Sequence, residues 1–157
     1  MLPGAELVLA GDMPPNMAWL HEKGPPAGIR LAGILGQKEL AALYREADVF
    51  VFPSVNEGLP LALLEAMSAG LPAIACRGTG AEDLLMPGCN GMLVPGRDVG
   101  ALASTLMWCY ENRRQLPAMG EAARARIEEE FTLAHYAERL LESYRSAADT
   151  RTGESRQ

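Results

Sequence analysis

The chain has 157 residues, of which 48% are hydrophobic and 22% charged, and these values predict one soluble domain with a sizeable core. The net charge of −6, with no basic cluster to offset it, argues against a general nucleic-acid surface. No stretch is long and apolar enough to span a bilayer, and the start lacks the charged region of a signal peptide. Three cysteines, odd in number and without metal-ligand spacing, favour a reducing cytosol.

Strand and helix patterns alternate along the first third of the chain. Residues 6–10 and 29–32 are predicted strands, and a short amphipathic piece between them, residues 16–22, is a predicted helix. Apolar residues at helical spacing predict a further helix over residues 38–47. Tyr44 lies in that pattern and is interpreted as a core residue rather than as a ligand contact.

A strand, a turn and a helix start follow. Residues 49–52 form the apolar, β-favouring run that is typical of a strand buried on both faces of a parallel sheet. Gly58 is expected to let the backbone turn tightly. Pro60 suits the first helical position because its missing N–H costs nothing there, so a helix is predicted to begin near Leu59 or Pro60.

This central helix is predicted to end at Gly70, with residues 73–75 as the next strand. A strand, a glycine turn and a helix N-terminus in succession place unpaired N–H groups and a partial positive charge at the carboxyl edge of a sheet. Anionic ligands bind at that edge in open α/β folds.

The remaining elements are one strand and three helices. The last strand is predicted at residues 92–94. Asp98 and Thr132 are plausible N-caps. The predicted helices cover residues 99–110, 117–130 and 133–146. The alternation of strands and helices predicts an α/β fold with a parallel sheet and helices on both faces, in one domain over residues 1–147 with a disordered tail over 148–157.

Two carboxylates mark the central segment. Glu57 lies in the predicted turn and Glu65 in the helix, with seven residues between them. Small residues at helical spacing, Ala62, Ser68 and Ala69, leave room for a ligand beside Glu65. A glutamate on the solvent face of an amphipathic helix explains Glu65 about equally well, and both interpretations stay open at this point.

The amino-acid sequence of this segment resembles that of a known family. Residues 57–60, Glu-Gly-Leu-Pro, and 65–67, Glu-Ala-Met, closely resemble the E-x7-E segment of retaining glycosyltransferases with the GT-B fold, of the family 4 or group 1 type. The resemblance covers almost the whole chain, including residues 7–12, 40–48 and 91–95. It implies the Rossmann-like C-terminal half of such an enzyme, which binds the nucleotide-sugar donor.

The resemblance also implies that parts of the enzyme are missing. The family's first domain, which holds the acceptor sugar, lipid or other small molecule, has no counterpart here. In the family, the second domain begins with a strand that is followed by a basic pair, Arg and Lys. This strand and the basic pair also have no counterpart here. Residues 6–10 and 49–52 thereby lose a shared neighbour and must pair with each other, recruit another chain or stay partly unsatisfied.

The family's site residues are carried over by position. Glu57, as the catalytic residue, would bind hydroxyls of the donor sugar, and Glu65 would bind the ribose hydroxyls, each as a hydrogen-bond acceptor. N–H groups around Gly58, Leu59, Pro60 and Leu61 would face the diphosphate. This implies retention of anomeric configuration without a metal or other cofactor.

Two further contacts follow from the resemblance. Gly33 and Ile34, after the second strand, would lie near the nucleotide base. Glu82 matches the glutamate that ends the family's Gly-rich turn, although Thr79 stands where a second glycine is usual. This departure puts the contact of that turn in question.

Three functions are left open by the sequence. In the first, the chain is the donor-binding half of a cytoplasmic glycosyltransferase, and whether that enzyme docks at the inner face of a membrane is undecided. Alternatively it is a truncated module that binds a nucleotide and catalyses nothing. The third possibility is a relative of the nucleotide-sugar epimerases, and the sequence Leu-Leu-Glu-Ala-Met of residues 63–67 argues against it.

Overall fold

A computed structural model of the chain describes residues 3–12, 17 and 19–154. Strands and helices alternate through these residues before the chain ends in three successive helices. In chain order the elements are β1 (Leu7–Ala10), α1 (Trp19–Lys23), β2 (Ile29–Gly33), α2 (Gln37–Glu46), β3 (Phe50–Phe52), α3 (Leu61–Ser68), β4 (Ala73–Cys76), α4 (Ala81–Leu84), β5 (Gly91–Val94), α5 (Val99–Glu111), α6 (Leu116–Glu130) and α7 (Leu133–Glu154).

The element boundaries differ from the prediction in a few places. Helix α3 begins at Leu61 with Pro60 as its N-cap, one or two residues after the predicted start at Leu59 or Pro60. The Gly-rich turn after β4 continues into a short helix, α4, that the sequence did not predict. Of the predicted helix 16–22, residues 16 and 18 lie outside the described residues. The predicted caps at Asp98 and Thr132 are confirmed, since each side-chain oxygen accepts a bond from an N–H three residues later.

Helix α7 ends at Glu154 rather than at the predicted Ser146. It therefore runs into the segment for which the sequence predicted disorder. Once a helix is formed, each added residue gains one backbone hydrogen bond, so polar residues without an apolar anchor can extend it. Residues 155–157 of the predicted tail lie outside the described residues.

The strands form two parallel sheets. Strand β1 pairs with β2, with Leu7 opposite Ile29, and β3, β4 and β5 pair in that order. Among the described residues, β1 and β3 do not pair with each other, so each has one edge without a strand neighbour. All four residues of β4 are buried, whereas every residue of β3 is only partly buried. Of the three outcomes expected for β1 and β3, pairing with each other is therefore wrong for the described residues.

Helices cover both faces of the three-stranded sheet, as the sequence predicted. Ala73 and Ala75 of β4 face a cluster from α3, α4 and α6 that includes Leu63, Met67, Leu84, Ala123 and Ile127. The alternate residues, Ile74 and Cys76, face a second cluster from β5, α5 and α6 that includes Val94, Cys109, Leu116 and Met119. Period-two alternation along one buried strand therefore connects the two halves of the core.

Helix α6 fixes the end of α3 through backbone contact. A Cβ placed on Gly120 would lie 2.0 Å from the Gly70 carbonyl oxygen, so the two backbones touch at these glycines. Gly70 follows α3 with φ +87°, the left-handed conformation that favours glycine at a helix end. Arg124 Nε also donates to the Ser68 carbonyl oxygen at 3.0 Å. The position of α3 depends on this contact.

Asn90 holds the turn before β5. Its side chain is fully buried. Its Oδ1 accepts from the Met86 N–H at 2.7 Å and its Nδ2 donates to the Leu84 carbonyl at 3.1 Å. We expect Asn90→Leu to lower the free energy of unfolding by about 2 kcal/mol, because both backbone groups lose their partner. Urea unfolding measures this, and a loss no larger than that of the exposed Asn56→Leu would contradict it.

Candidate functional site

The turn between β3 and α3 ends in a helix N-terminus with unsatisfied donors. The N–H groups of Leu63 and Leu64 donate to the Pro60 carbonyl oxygen, at 3.0 and 3.2 Å. Within the described part of the chain, the N–H groups of Leu61 and Ala62 donate to no protein acceptor. The first two amides of α3 are therefore available to a ligand.

This helix start differs from two others in the chain. Glu39 accepts from the Gly36 N–H at 2.8 Å at the start of α2, and Asp98 accepts from the Ala101 N–H at 2.8 Å at the start of α5. Helix α3 has no side-chain cap and no acidic residue in its first turn. Its partial positive charge is therefore not neutralised by its own residues, which favours an anion there.

The turn after β4 packs against the turn after β3. The Gly80 N–H donates to the Glu57 carbonyl oxygen at 3.1 Å. A Cβ on Gly80 would lie 1.5 Å from the Gly58 carbonyl oxygen, closer than any side chain can approach. A Cβ on Gly58 would meet nothing within 4 Å, and Gly58 does not have a positive φ. The close approach that requires glycine is thus at Gly80, which the sequence did not predict, and neither the space nor the φ at Gly58 requires glycine for the tight turn expected there.

Thr79 stabilises the Gly-rich turn. Its Oγ1 donates to the Cys76 carbonyl at 2.8 Å and accepts from the Ala81 N–H at 3.3 Å. These bonds close the turn on both sides of the residue that replaces the expected glycine. The contact with the Glu57 turn is therefore kept despite the departure from the family's pattern.

Glu57 and Glu82 lie on the two turns that meet. Both residues are exposed. Ser54 Oγ donates to Glu57 Oε1 at 3.3 Å, which holds one orientation of that carboxylate. Glu82 lies in the first turn of α4, two residues after Gly80. The structure thus brings Glu57, Gly58 and Glu82 to one edge of the three-stranded sheet.

Glu65 is exposed on α3 and approaches a tyrosine of α2. Burial raises the pKa of the Tyr44 phenol, and the charge of Glu65 and a hydrogen bond to it raise that pKa further. Tyr44 is 8% exposed, which agrees with the prediction of a core residue. Its contact with Glu65 was missed, because nothing in the sequence pattern links two residues of different helices.

Apolar side chains are exposed near the carboxyl ends of the strands. Leu59 and Leu61 are 48% and 69% exposed on the β3–α3 turn. Ile34, directly after β2, is 79% exposed, and Gly33 before it has φ +67°, which favours glycine. Gly33 ends β2 of the two-stranded sheet and Ile34 follows it, whereas the other predicted site residues lie at the three-stranded sheet.

Residues 3–12, 17 and 19–154 contain neither a metal-ligand cluster nor a membrane-spanning helix. In that part of the chain, no group of three or more His, Cys, Asp or Glu side chains could hold a metal ion. No helix within it is long and apolar enough to cross a membrane. Arg30 forms an exposed ion pair with Glu6, with Nε and Oε2 3.2 Å apart, so its guanidinium already has a carboxylate partner.

Comparison with known proteins identifies relatives over most of the chain. A family model described as "Glycosyl transferases group 1" matches residues 2–112. The amylovoran biosynthesis glycosyltransferase AmsK of Erwinia amylovora is 35% identical over 119 residues, which cover 72% of this chain and 29% of the relative. The D-inositol 3-phosphate glycosyltransferase of Mycolicibacterium smegmatis is 31% identical over 158 residues, which cover 93% and 35%. The chain thus spans about a third of these curated relatives.

Solved structures share the fold. Sucrose-phosphate synthase of Thermosynechococcus elongatus superposes with a TM-score of 0.81 and 26% identity, over 95% of this chain and 40% of that one. HepE of Anabaena, solved in complex with UDP, superposes with a TM-score of 0.79 and 20% identity, over 92% and 42%. The architecture is therefore that of GT-B glycosyltransferases, as the sequence predicted.

Proposed function

Because the chain belongs to the group 1 glycosyl transferases, we propose that it is the donor-binding half of such an enzyme and binds a nucleotide-diphosphate sugar. The observation that carries the proposal is the uncapped N-terminus of α3, where the Leu61 and Ala62 N–H groups have no described protein acceptor. HepE, which shares the fold, has been solved with UDP and with UDP-glucose, which makes UDP the first nucleotide to test.

The diphosphate of the donor would lie at this helix start. Transfer of the sugar leaves negative charge on the departing phosphate. Preorganised N–H groups and the α3 dipole lower the barrier because they are already oriented toward that charge. In this proposal Gly58, Leu59, Pro60 and Leu61 supply backbone around the phosphates, and these groups act in the place of a metal ion.

The carboxylates would hold the two sugar rings of the donor. Glu57, oriented by Ser54, accepts hydrogen bonds from hydroxyls of the transferred sugar and is the catalytic residue of the proposal. Glu65 accepts from the ribose hydroxyls. Glu82 lies in the first turn of α4, directly after the turn that packs on Glu57, and would border the same ligand. Both rings are fixed before reaction, and positioning of this kind accounts for much of an enzyme's rate.

The base would lie beyond the ribose, near Gly33 and Ile34. The exposed Ile34 side chain offers an apolar surface to a planar ring, and the backbone after β2 offers hydrogen-bonding groups. This contact would form across the gap between the two sheets. The unpaired edges of β1 and β3 favour completion of the sheet by a strand of another chain.

The acceptor sugar, lipid or other small molecule would bind outside this chain. The relatives are about three times its length, and the proposal assigns acceptor binding to a domain that the chain does not cover. Transfer with retention of anomeric configuration, in the cytoplasm or at the inner face of a membrane, is proposed for the assembled enzyme. The alternative is a nucleotide-binding module without catalysis.

Titration calorimetry of the folded chain with UDP, GDP and ADP tests the proposal. We expect saturable binding of one nucleotide, weakened by about tenfold or more in Glu65→Ala, which is about 1.4 kcal/mol. Glu121→Ala, which removes an exposed glutamate from α6, is the control and should bind as the wild type does. A chain that is folded by circular dichroism yet binds none of the three would overturn the proposal.

Addition of a donor sugar and an acceptor domain separates the two alternatives. Binding of the nucleotide by the chain alone, with transfer only after an acceptor domain from a full-length relative is added, supports the enzyme half. Binding without transfer in that mixture supports the non-catalytic module.

A further inference from the structure

We propose that Arg124 and Arg126 of α6 are positioning residues for the donor site, because each supplies a hydrogen-bond donor that a proline removes from the end of a helix. The inference rests on the proposed function, in which α3 carries Glu65 and α4 carries Glu82. It adds two residues that lie on neither of the turns that form the site and that act only through the helices they hold.

The ends of α3 and α4 share one sequence feature. In an α-helix, a carbonyl accepts a hydrogen bond from the N–H four residues later. Pro72 lies four residues after Ser68, the last residue of α3, and Pro87 lies four residues after Asp83 of α4. Because proline has no N–H, neither carbonyl can be satisfied in this way by its own segment. Both carbonyls are therefore open to a donor from another element.

Helix α6 places one arginine at each of these carbonyls. Arg124 Nε donates to the Ser68 carbonyl oxygen at 3.0 Å, and Arg126 Nη2 donates to the Asp83 carbonyl oxygen at 3.3 Å. In the described part of the chain, no backbone N–H donates to either oxygen. Cations are favoured at this end of a helix, where the carbonyls carry partial negative charge. The two arginines thus replace the donors that the prolines lack.

The arginine side chains are themselves held in place along α6. Arg126 Nη1 donates to Glu130, and its guanidinium carbon lies 5.2 Å from the centre of the Phe131 ring. Arg124 pairs with Glu128, with Nε and Oε1 3.6 Å apart. The side chain of Arg126 is 22% exposed and that of Arg124 is 57% exposed. Because hydrogen bonds strengthen where water is excluded, Arg126 is expected to contribute more than Arg124.

One helix thereby fixes two parts of the site relative to each other. Directly before α4, the Gly80 N–H donates to the Glu57 carbonyl oxygen, so the position of α4 determines how the two turns meet. Helix α3 is held at its end by α6, and its other end carries the Leu61 and Ala62 N–H groups. If either helix end shifts, the groups proposed to hold the donor lose their common geometry.

Hydrogen exchange measured by NMR tests each contact without a nucleotide. In Arg126→Met, we expect the Gly80 amide to exchange about fivefold faster, while the Leu71 amide exchanges as in the wild type. In Arg124→Met, we expect the reverse, because the Leu71 N–H donates to the Ala66 carbonyl at the end of α3. Methionine keeps an apolar stem and removes the charge and the donors, so each variant is the control for the other.

Glu128→Gln and Glu130→Gln are further matched controls, because they remove the ion pairs of α6 and keep both arginines. Neither should change the exchange of the two amides. Equal acceleration at both amides in an arginine variant would mean a general loss of stability and would overturn the inference. Unchanged exchange in both arginine variants would overturn it as well, and would leave donor binding standing.

Titration calorimetry with the nucleotide that binds the wild type measures the effect on the site. We expect the dissociation constant to rise about threefold in each arginine variant and about tenfold in the double variant, since separate contacts contribute additively. A double variant that binds as the wild type does would overturn the positioning role. If the exchange changes as expected but the wild type binds no nucleotide, the proposed function is wrong, and the positioning role fails with it.

Discussion

Gly80→Ala is expected to weaken nucleotide binding by at least about a hundredfold, or about 2.8 kcal/mol. The new Cβ would lie 1.5 Å from the Gly58 carbonyl oxygen and 2.5 Å from the Gly58 carbonyl carbon. Both neighbours are backbone atoms, so no side chain can rotate away. The turn that carries Glu57 must move, and the hydrogen bond from the Gly80 N–H to Glu57 breaks. The binding groups would then lose their shared geometry.

Titration calorimetry with the nucleotide that binds the wild type measures this effect. Gly100→Ala is the matched control, because its Cβ would meet an exposed Asp98 oxygen at the ordinary distance of 3.4 Å. That variant should bind as the wild type does. Binding by Gly80→Ala within about threefold of the wild type would show that the contact of the two turns does not shape the site.

Gly120→Ala is expected to lower the free energy of unfolding by about 3 kcal/mol. The added Cβ would lie 2.0 Å from the Gly70 carbonyl oxygen and 3.4 Å from Pro72 Cδ. Gly70 has φ +87° and lies in the short connection between α3 and β4, so relief requires α6 to move away from the core. Leu63, Met67, Ala123 and Ile127 would lose part of their packing.

Whether Gly120→Ala lowers or raises the free energy of unfolding distinguishes close packing from an ordinary helix position. Alanine is favoured over glycine inside a helix by about 1 kcal/mol, so without the clash Gly120→Ala would stabilise the protein. Urea unfolding measures the difference, and Gly100→Ala in the first turn of α5 again serves as the control. Stability equal to or above that of the wild type would contradict the close packing of α6 on the end of α3.

The sequence predicted the layers and the local geometry of the candidate site. Strand β4 reads as a short apolar run, and both of its faces are covered by helices. The succession of strand, glycine turn and helix start predicted a helix N-terminus with unpaired N–H groups, which the structure contains, although Pro60 is its N-cap and not its first residue. Such features depend on neighbouring residues, so they can be predicted from a single sequence.

Contacts between distant residues were not predictable in this way. Gly80 meets Gly58, and Tyr44 meets Glu65, only because separate elements pack together. A sequence does not show whether a glycine will lie beside solvent or beside another part of the backbone. The close contact at Gly80 was therefore missed, and only the turn at Gly58 was predicted. Likewise, the sequence of a strand does not show which other strand it pairs with, so the division into two sheets could not be predicted from it.

Amide shift mapping of the chain with its nucleotide tests the central claim most directly. In ¹H–¹⁵N spectra, the N–H groups of Leu61 and Ala62 should show the largest changes as UDP or the preferred nucleotide is added, because they gain an acceptor where the protein provides none. The chain also has a cleft lined by residues 111–115, between α5 and α6. Saturable changes confined to that cleft, with Leu61 and Ala62 unchanged, would contradict a donor site at the start of α3.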